Sequence, residues 1–210
     1  MQTYKKQHLV PFGEFIPLDK LITPLQKLSP IGTSLYPGEG VLFAIKPAAI
    51  DHVIKIAPLI CYEDTDENLA RSAAADGASL IALITNDSWF SGSCEALQHF
   101  RQAVLRSAET GLPVIRCGNS GVSGVIHPDG SCKILEAPES EFGKPEPFVD
   151  RCGAGSFYAF VEANPEKTFY TKAGNIPLIV VFILTLCLIA GFSFKDAKRL
   201  RAGKPAPGVE

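Results

Sequence analysis

The chain has 210 residues, of which 46% are hydrophobic, and this suits one large domain with a sizeable core or a domain with an appendage. Its formal net charge of −2 argues against a nucleic acid as the main partner. The six cysteines contain no CxxC pair, so zinc-type spacing is absent and no spacing demands a disulfide; they are Cys61, Cys94, Cys117, Cys132, Cys152 and Cys187.

The first element is a short extended segment that ends in a turn. The letters "QHLV" at residues 7–10 are followed by "PFGE", in which Pro11 fixes its own φ and Gly13 permits dihedrals that other residues avoid. We therefore predict a loop that projects Glu14 away from the extended segment. An acid in a loop is often merely solvated, so the local pattern leaves the role of Glu14 open.

The centre of the chain predicts alternating buried strands and helices, as in an α/β protein. Residues 52–63, "HVIKIAPLICYE", are largely apolar and suit a buried strand, and residues 78–87, "ASLIALITND", predict a second one. A helix is expected between them over 66–77. A second helix is expected over 94–111, where apolar residues recur at helical spacing until Gly111 stops it.

The following segment predicts a group of short strands. Residues 112–137 are interrupted by two turn sequences, "GNSG" and "HPDG", which join successive strands. From Pro138 to Pro147 the chain is rich in Pro and Glu, and we predict a loop there.

One segment is typical of a membrane span. "IPLIVVFILTLCLIAGFSF", Ile176 to Phe194, carries no charge and has about the length that a bilayer core requires. A buried core helix is the alternative, but few soluble helices are this uniformly apolar. By the positive-inside rule, the basic tail over 195–210 is cytoplasmic and everything before Ile176 lies on the outer face. The basic residues of the tail are Lys195, Lys198, Arg199, Arg201 and Lys204.

A domain on the outer face requires an export signal ahead of it. The first ten residues, "MQTYKKQHLV", contain no apolar h-region. We therefore expect the chain to be the C-terminal part of a longer membrane protein whose earlier spans precede Met1.

The candidate nucleophile is Cys61 in "LICYEDT". It stands where an apolar strand ends, immediately before a helix, and such a junction can project a thiol at the edge of a sheet. A helix N-terminus also favours the thiolate. A buried structural cysteine is the alternative, and it is the commoner role for an arbitrary Cys.

Four motifs occur together in the order and spacing of a known family: "YKKQHLVPFGEFIP", "LICYED", "ITNDSWF" and "RCGNSGVSGVIHPDG". With the C-terminal span, the chain resembles the apolipoprotein N-acyltransferase branch of the nitrilase superfamily of carbon–nitrogen hydrolases, from Tyr4 to about Phe194. The resemblance implies a nitrilase-like α-β-β-α sandwich over residues 1–172, without its first strands. A transmembrane helix over 176–194 and a basic tail would follow.

The family has a Glu-Lys-Cys trio in its active site. By position, the resemblance implies that Cys61 is the nucleophile, Lys6 the catalytic lysine and Glu14 the active-site loop acid, held over the thiol by its turn. The family's general-base glutamate lies upstream of the lysine. We therefore expect that glutamate ahead of Met1, and we expect the 210-residue chain alone to be inactive.

Four further residues match substrate-binding positions of the family. Tyr62 and Glu63 flank the nucleophile, and their alternative role is ordinary chemistry at a helix N-terminus. Trp89 and Phe90 match an aromatic pair near the entry of the acyl chain, and core packing is their alternative.

The resemblance implies acyl transfer through a cysteine thioester, with no metal or cofactor. A phospholipid would give the acyl group, and the amino group of an apolipoprotein's N-terminal diacylglyceryl-cysteine would accept it. A membrane-anchored domain suits two lipid substrates. The expected location is the bacterial inner membrane, with the catalytic domain on the periplasmic face.

Two other interpretations remain open. A nitrilase-type amidase would pass the acyl group to water, although the C-terminal span disfavours it. A non-catalytic fragment or membrane-tethered binding module would account for a chain without the general base.

Overall fold

The computed structural model describes residues 2–18, 34–48, 51–90, 93–135 and 166–201, with side chains up to residue 193 in the last range. The chain divides into two compact units, Met1–Lys172 and Ala173–Glu210.

The first unit is built on a mixed sheet, which has six strands in the described residues, in the spatial order β1 to β6. The three central strands β2, β3 and β4 are parallel, and the outer pairs are antiparallel. The strands are β1 (Phe43–Ile45), β2 (Ile54–Ile60), β3 (Leu80–Thr85), β4 (Val114–Gly118), β5 (Gly124–Ile126) and β6 (Cys132–Ile134). Because β2, β3 and β4 run in one direction, their carboxyl ends meet at one edge of the sheet.

Two helices connect the parallel strands, α1 (Glu67–Ala75) and α2 (Glu95–Thr110). The side chain of Asp66 caps α1 by accepting from the backbone N–H of Asn68 at 2.9 Å. Gly111 ends α2 with a left-handed φ of 75°, and its N–H donates to the Ser107 carbonyl. Helix α1 therefore begins at a side-chain cap, and helix α2 ends at a glycine.

The core lies between these helices and one face of the sheet. Small alanines on the helices let the backbones approach the branched side chains of the strands. The buried cluster includes Ala57, Leu59, Ile81, Leu83 and Val114 from the sheet, with Ala70, Ala74, Phe100 and Ala103 from the helices. Burial of this apolar surface is the main favourable term that holds the layers together.

The opposite face of the sheet is apolar but open in the described part of the chain. Ile84 on β3 is 56% exposed and Ile115 on β4 is 39% exposed. The α-β-β-α sandwich that the sequence predicts places a second sheet against this face. The described residues contain the first sheet and its helical layer.

Most predicted elements are confirmed, and their bounds are corrected. Both central helices and the strands after Leu112 are present. The strand predicted over 52–63 is wrong at its end, because it stops at Ile60 and a 3₁₀ helix, Cys61–Thr65, follows. The sequence analysis missed β1, which is too short to show an alternating pattern, and the short helix α3 (Phe169–Ala173).

The segment before the second unit covers the carboxyl ends of both core helices. Lys167 Nζ donates to the Ala75 carbonyl at 2.9 Å, and the Thr168 hydroxyl donates to the Glu109 carbonyl. The Thr171 hydroxyl donates to the Thr110 carbonyl at 3.3 Å. These bonds satisfy carbonyls that the ends of α1 and α2 would otherwise leave unpaired.

The second unit contains the long helix α4 (Ile176–Arg201). Its stretch Ile176–Ser193 has a mean hydropathy of 2.7 and is long and apolar enough to cross a membrane. The one hydroxyl in its centre, Thr185, donates to the Val181 carbonyl at 2.8 Å. The predicted loop from Pro138 to Pro147, Cys152, Lys204 and the basic side chains from Lys195 onward lie outside the described residues.

Candidate active site

The candidate nucleophile lies at the carboxyl end of β2, in the first residue of the 3₁₀ helix. Cys61 has a φ of 53°, in the left-handed region that non-glycine residues rarely adopt. Such a conformation costs about 1–3 kcal/mol and persists only where the surrounding structure holds it. Cys61 is partly exposed, and it is a free thiol, as are the other four cysteines in the described residues.

The turn at residues 10–15 carries Glu14 back onto Lys6. Lys6 Nζ donates to both carboxylate oxygens of Glu14, at 2.9 and 2.7 Å. The N–H of Val10 donates to the same carboxylate at 2.8 Å. Glu14 is therefore not a merely solvated loop acid, because it orients an ammonium.

The backbone of this turn differs from the sequence expectation in one respect. The positive φ of 62° belongs to Phe12 and not to Gly13. Gly13 has little free space beside it, because an added Cβ would lie 3.2 Å from Val10 Cγ1 and 3.6 Å from the ring of Trp89. The turn thus lies against the ring of Trp89.

One open cavity of about 440 Å³ brings five of the seven predicted site residues together. Its polar corner contains Lys6 and Glu14, and Cys61 opens into the same space. Trp89 and Phe90, 63% and 55% exposed, form an aromatic wall. The remaining lining residues are Val10, Ile60, Ile84, Thr85 and Asn86. A thiol, an ion pair and an apolar wall in one cavity can hold a carbonyl group with a long hydrocarbon chain attached.

The other two predicted site residues make different contacts. Tyr62 stacks its ring on His8, with centroids 5.1 Å apart. Glu63 is fully buried and accepts hydrogen bonds from the Tyr4 hydroxyl at 2.8 Å and from the backbone N–H groups of Gln7 and Ile60. Glu63 therefore ties the 3₁₀ helix Cys61–Thr65, called the nucleophile turn below after its candidate nucleophile, to the segment that carries Lys6.

The contact with Glu63 also affects the pKa of the Tyr4 phenol. Its burial raises the pKa of Tyr4; the hydrogen bond from Gln7 lowers it and the neighbouring Glu63 carboxylate raises it, with a net shift upward. The Tyr4 hydroxyl therefore stays protonated and donates a hydrogen bond to Glu63 throughout the neutral range.

The sequence analysis missed a buried group of charges next to the candidate nucleophile Cys61, the charge cluster Asp64, Asp87, His99 and Arg116. His99 Nε2 lies 2.8 Å from Asp64 Oδ1, and His99 Nδ1 lies 2.9 Å from Asp87 Oδ1. Arg116 donates to Asp64 Oδ2 at 3.1 Å and to Asp87 Oδ2 at 2.9 Å. Two cations thus bridge the same two carboxylates, and the charges balance within the protein interior.

The protonation of His99 follows from this arrangement. Burial lowers the pKa of His99, but the hydrogen bonds to Asp64 and Asp87 outweigh burial and raise the pKa to about 10. Burial likewise raises the pKa of Asp87, and the bonds from His99 and Thr85 with the Arg116 charge bring it below its ordinary value. His99 is therefore an imidazolium at neutral pH.

One sequence signal could have located the charge cluster. Asp64 follows β2, Asp87 follows β3 and Arg116 is the central residue of β4. The carboxyl ends of adjacent parallel strands meet at one edge, so two acids after β2 and β3 and a long basic side chain on β4 are candidates for contact.

A metal ion is the other possible reading of part of this group. Asp87, Glu95 and His99 place their ligand atoms within 4.8 Å of one another. Both nitrogens of His99 already bind carboxylates, and the Arg116 guanidinium lies on Asp87. A cation here would face two existing positive charges, so these residues fit an ion-pair network better than a metal centre.

Comparison with known proteins shows a match to the carbon-nitrogen hydrolase family and similarity to proteins named apolipoprotein N-acyltransferase. Residues 1–141 match the sequence profile of the carbon-nitrogen hydrolase family. The chain is 42% identical over 199 residues to the apolipoprotein N-acyltransferase of Rickettsia typhi, covering 92% of this chain and 36% of that protein. It is 31% identical over 192 residues to the apolipoprotein N-acyltransferase of Haemophilus influenzae, covering 91% of this chain and 34% of that protein. The chain thus spans about a third of the length of these curated relatives.

A solved structure with a similar fold is a variant of the Nesterenkonia AN1 amidase from the nitrilase superfamily. It is 18% identical to this chain, with a TM-score of 0.44, and covers 71% of this chain and 48% of the amidase.

Proposed function

The chain belongs to the carbon–nitrogen hydrolase family, and from this premise we propose that it is the acyl-transferring part of an apolipoprotein N-acyltransferase. The observation that carries the proposal is the cavity in which Cys61 shares one space with the Lys6–Glu14 pair and an aromatic wall. The relatives with this name at 42% and 31% identity support the same reaction class.

The first half-reaction forms a thioester on Cys61. A carboxylate base removes the thiol proton, and the sulfur attacks the ester carbonyl of a phospholipid to give a tetrahedral oxyanion. The Lys6 ammonium and the backbone N–H groups at the start of the 3₁₀ helix are the donors available to that oxyanion. The C–O bond then breaks, and the lysophospholipid hydroxyl leaves with the proton that the base returns.

The second half-reaction regenerates the thiol. The amino group of an apolipoprotein's N-terminal diacylglyceryl-cysteine attacks the thioester carbonyl, an amide bond forms and the sulfur leaves. The proton lost by the amine returns to sulfur through the base. In the family that this chain resembles, the base is a glutamate upstream of the lysine, and we propose that a segment ahead of Met1 supplies it.

Glu14 has a separate role in this scheme. Its two oxygens are engaged by Lys6 and by the N–H of Val10, so it orients the ammonium. We therefore assign proton transfer to the upstream glutamate and the positioning of the oxyanion donor to Glu14.

The aromatic wall suits a fatty acyl chain. Trp89 and Phe90 are large, exposed apolar groups beside the thiol-bearing cavity, and contact with hydrocarbon would remove their surface from water. Tyr62 and Glu63 do not line the cavity. We propose that they act indirectly, by holding the nucleophile turn in place.

The second unit would anchor this reaction at a bilayer. Residues 1–172 form the carbon–nitrogen hydrolase domain of the proposal, and Ile176–Ser193 is the stretch apolar enough to cross a membrane. The basic tail after Phe194 places the C-terminus in the cytoplasm by the positive-inside rule. The domain then lies on the periplasmic face of the inner membrane, where both lipid substrates are accessible.

The test is acyl transfer by the full-length protein, with the upstream region included, from phospholipid to a diacylglyceryl-cysteine peptide. We expect a thioester on the peptide that contains Cys61 by mass spectrometry, and loss of the thioester and of turnover in Cys61→Ala. Cys94→Ala, which removes an exposed thiol before α2, is the matched control and keeps both. Release of free fatty acid without amide formation would instead show that water is the acyl acceptor, and a thioester in Cys61→Ala would overturn the assignment.

A further inference from the structure

The nucleophile turn is held from two sides by consecutive buried carboxylates. Glu63 ties the turn to the segment that carries Lys6, and Asp64 ties it to the charge cluster. Both side chains are fully buried. Cys61, at a φ of 53°, therefore has its strained conformation determined by the residues that follow it in the same 3₁₀ helix.

His99 makes one contact that Arg116 does not. Both cations bridge Asp64 and Asp87, but His99 Nε2 also lies 3.4 Å from the carbonyl oxygen of Cys61. The imidazolium N–H on this side thus faces the nucleophile residue and the carboxylate three positions later. Within the charge cluster, the side chain that contacts the backbone of Cys61 in the described residues is that of His99.

The other side of the imidazole binds the residue that immediately precedes the segment carrying the aromatic wall. Asp87 follows β3, accepts from the Thr85 hydroxyl at 2.7 Å, and stands directly before the segment Ser88–Phe90 that contains Trp89. His99 Nδ1 lies 2.9 Å from this carboxylate. One buried ring therefore binds both Asp64 in the nucleophile turn and Asp87, which precedes the aromatic wall.

We propose that His99 is a positioning residue for Cys61, and that its Nε2 side fixes the strained turn while its Nδ1 side fixes the wall. This inference rests on the proposed function in one respect, namely that Cys61 is the reacting group. His99 transfers no proton in the reaction, because both of its nitrogens are bound to carboxylates inside the protein. Its contribution is to hold the sulfur where Lys6 and the cavity can act on it.

Two substitutions separate the two sides of the ring. In His99→Gln the amide nitrogen stands close to the place of Nε2, so it can still donate to Asp64 and the Cys61 carbonyl. In His99→Asn the amide stands close to the place of Nδ1, so it keeps the Asp87 side and loses the Cys61 side. Both remove the same positive charge and leave the same carboxylates, so loss of the charge alone predicts equal losses.

The experiment measures the rate at which iodoacetamide alkylates Cys61 in the full-length protein across pH, with the labelled peptide identified by mass spectrometry. We expect His99→Asn to slow alkylation by about tenfold to a hundredfold, the loss expected when a reacting group is displaced, and His99→Gln to retain most of the rate. In the acyl-transfer assay, kcat should fall in the same order with KM nearly unchanged. Equal rates in both variants, whether lowered or unaltered, overturn the proposal.

Two further arrangements keep the test decisive. If the uncompensated carboxylate prevents folding, each variant is combined with Asp87→Asn, which restores a neutral charge cluster and keeps the Asp64–Arg116 pair.

Alkylation needs neither acyl donor nor acceptor. Slowed alkylation in His99→Asn, when the unaltered full-length protein transfers no acyl group, would therefore refute the proposed function and leave the positioning role intact. Normal acyl transfer and unchanged alkylation in His99→Asn would refute the positioning role and leave the proposed function intact.

Discussion

Glu14 binds the ammonium of Lys6 with both of its carboxylate oxygens, at 2.9 and 2.7 Å. The pair is partly buried, with side chains 27% and 11% exposed, and it forms the polar corner of the cavity that contains Cys61. The tight turn between Val10 and Phe15 makes this contact possible. The ammonium that we propose as the oxyanion donor is thereby placed by a residue close to it in the chain.

Glu14→Gln is therefore expected to misplace Lys6 without unfolding the domain. The amide keeps the shape of the side chain but loses the charge and one acceptor oxygen. We expect the rate of thioester formation in the full-length protein to fall by about 10²-fold, as for loss of a positioned group. Glu39→Gln, at an exposed glutamate outside the cavity lining, is the control and should react normally. A folded Glu14→Gln with the unaltered rate would contradict the role of the pair.

Gly38 offers a test of the same segment from its other side. Its N–H donates to the Lys6 carbonyl at 2.8 Å, and an added Cβ would lie 2.2 Å from Lys5 Cβ and 2.7 Å from the Lys5 carbonyl oxygen. Gly38→Ala must push the backbone next to Lys6, so we expect kcat to fall by about tenfold. Gly40→Ala is the matched control, because its Cβ meets the movable end of the Gln7 side chain. Equal activity of the two variants would show that the close approach of Gly38 to Lys5 does not position Lys6.

Gly121 is expected to be a position where alanine is strongly destabilising. It has a φ of 95°, and an added Cβ would lie 2.4 Å from Asp87 Oδ2, an atom that the Arg116 guanidinium binds. Gly130, with a φ of 84° and open space around it, isolates the backbone cost. We expect Gly121→Ala to lower the free energy of unfolding by about 2 kcal/mol more than Gly130→Ala, because it also disrupts a buried charged hydrogen bond. Urea denaturation of both variants measures the difference, and similar values would contradict the packing of this turn against the charge cluster.

The charge cluster also predicts how stability depends on pH. The pKa of His99 is raised to about 10 in the folded protein, from an ordinary value of 6.5. A raised pKa means that the folded state binds the proton more tightly, so this stabilisation is complete below pH 6.5 and is lost as the pH rises through 10. The groups that face the ring are Asp64, Asp87, Glu95 and Arg116.

The measurement is the urea unfolding midpoint at several pH values, for the unaltered protein and for His99→Gln. The advantage of the unaltered protein should shrink steadily between about pH 7 and pH 10, because only that protein loses the imidazolium. A constant difference across this range would show that His99 is not held protonated by its carboxylate neighbours.

The direction of the chain across the membrane can be tested with single cysteines. In the full-length protein, Gly208→Cys lies in the basic tail and should resist a membrane-impermeant thiol reagent until the inner membrane is opened. Cys132 is exposed in the first unit and serves as the internal control on the other face. Mass spectrometry of the labelled peptides compares the two sites. Labelling of Gly208→Cys before the membrane is opened would contradict the assigned orientation.

The sequence by itself determined the elements whose cause is local. Helix α2 ends at Gly111 as its glycine predicts, and the apolar run after Ile176 is a helix long enough to span a bilayer. The motifs around Lys6, Glu14 and Cys61 identified side chains that the structure brings into one cavity with Trp89 and Phe90. Periodicity and glycine placement act over a few residues, so they can be read from neighbours in the chain.

Only the tertiary structure decided what surrounds the candidate nucleophile Cys61. Glu63 holds a segment 56 residues away through Gln7, and Asp64 meets Arg116 across a separation of 52 residues. The left-handed conformation also falls on Phe12 and Cys61, where residue type alone would not place it. These contacts depend on which strands lie side by side and on how the buried charges balance. The free energy of burying them is set by partners that no local stretch of sequence contains.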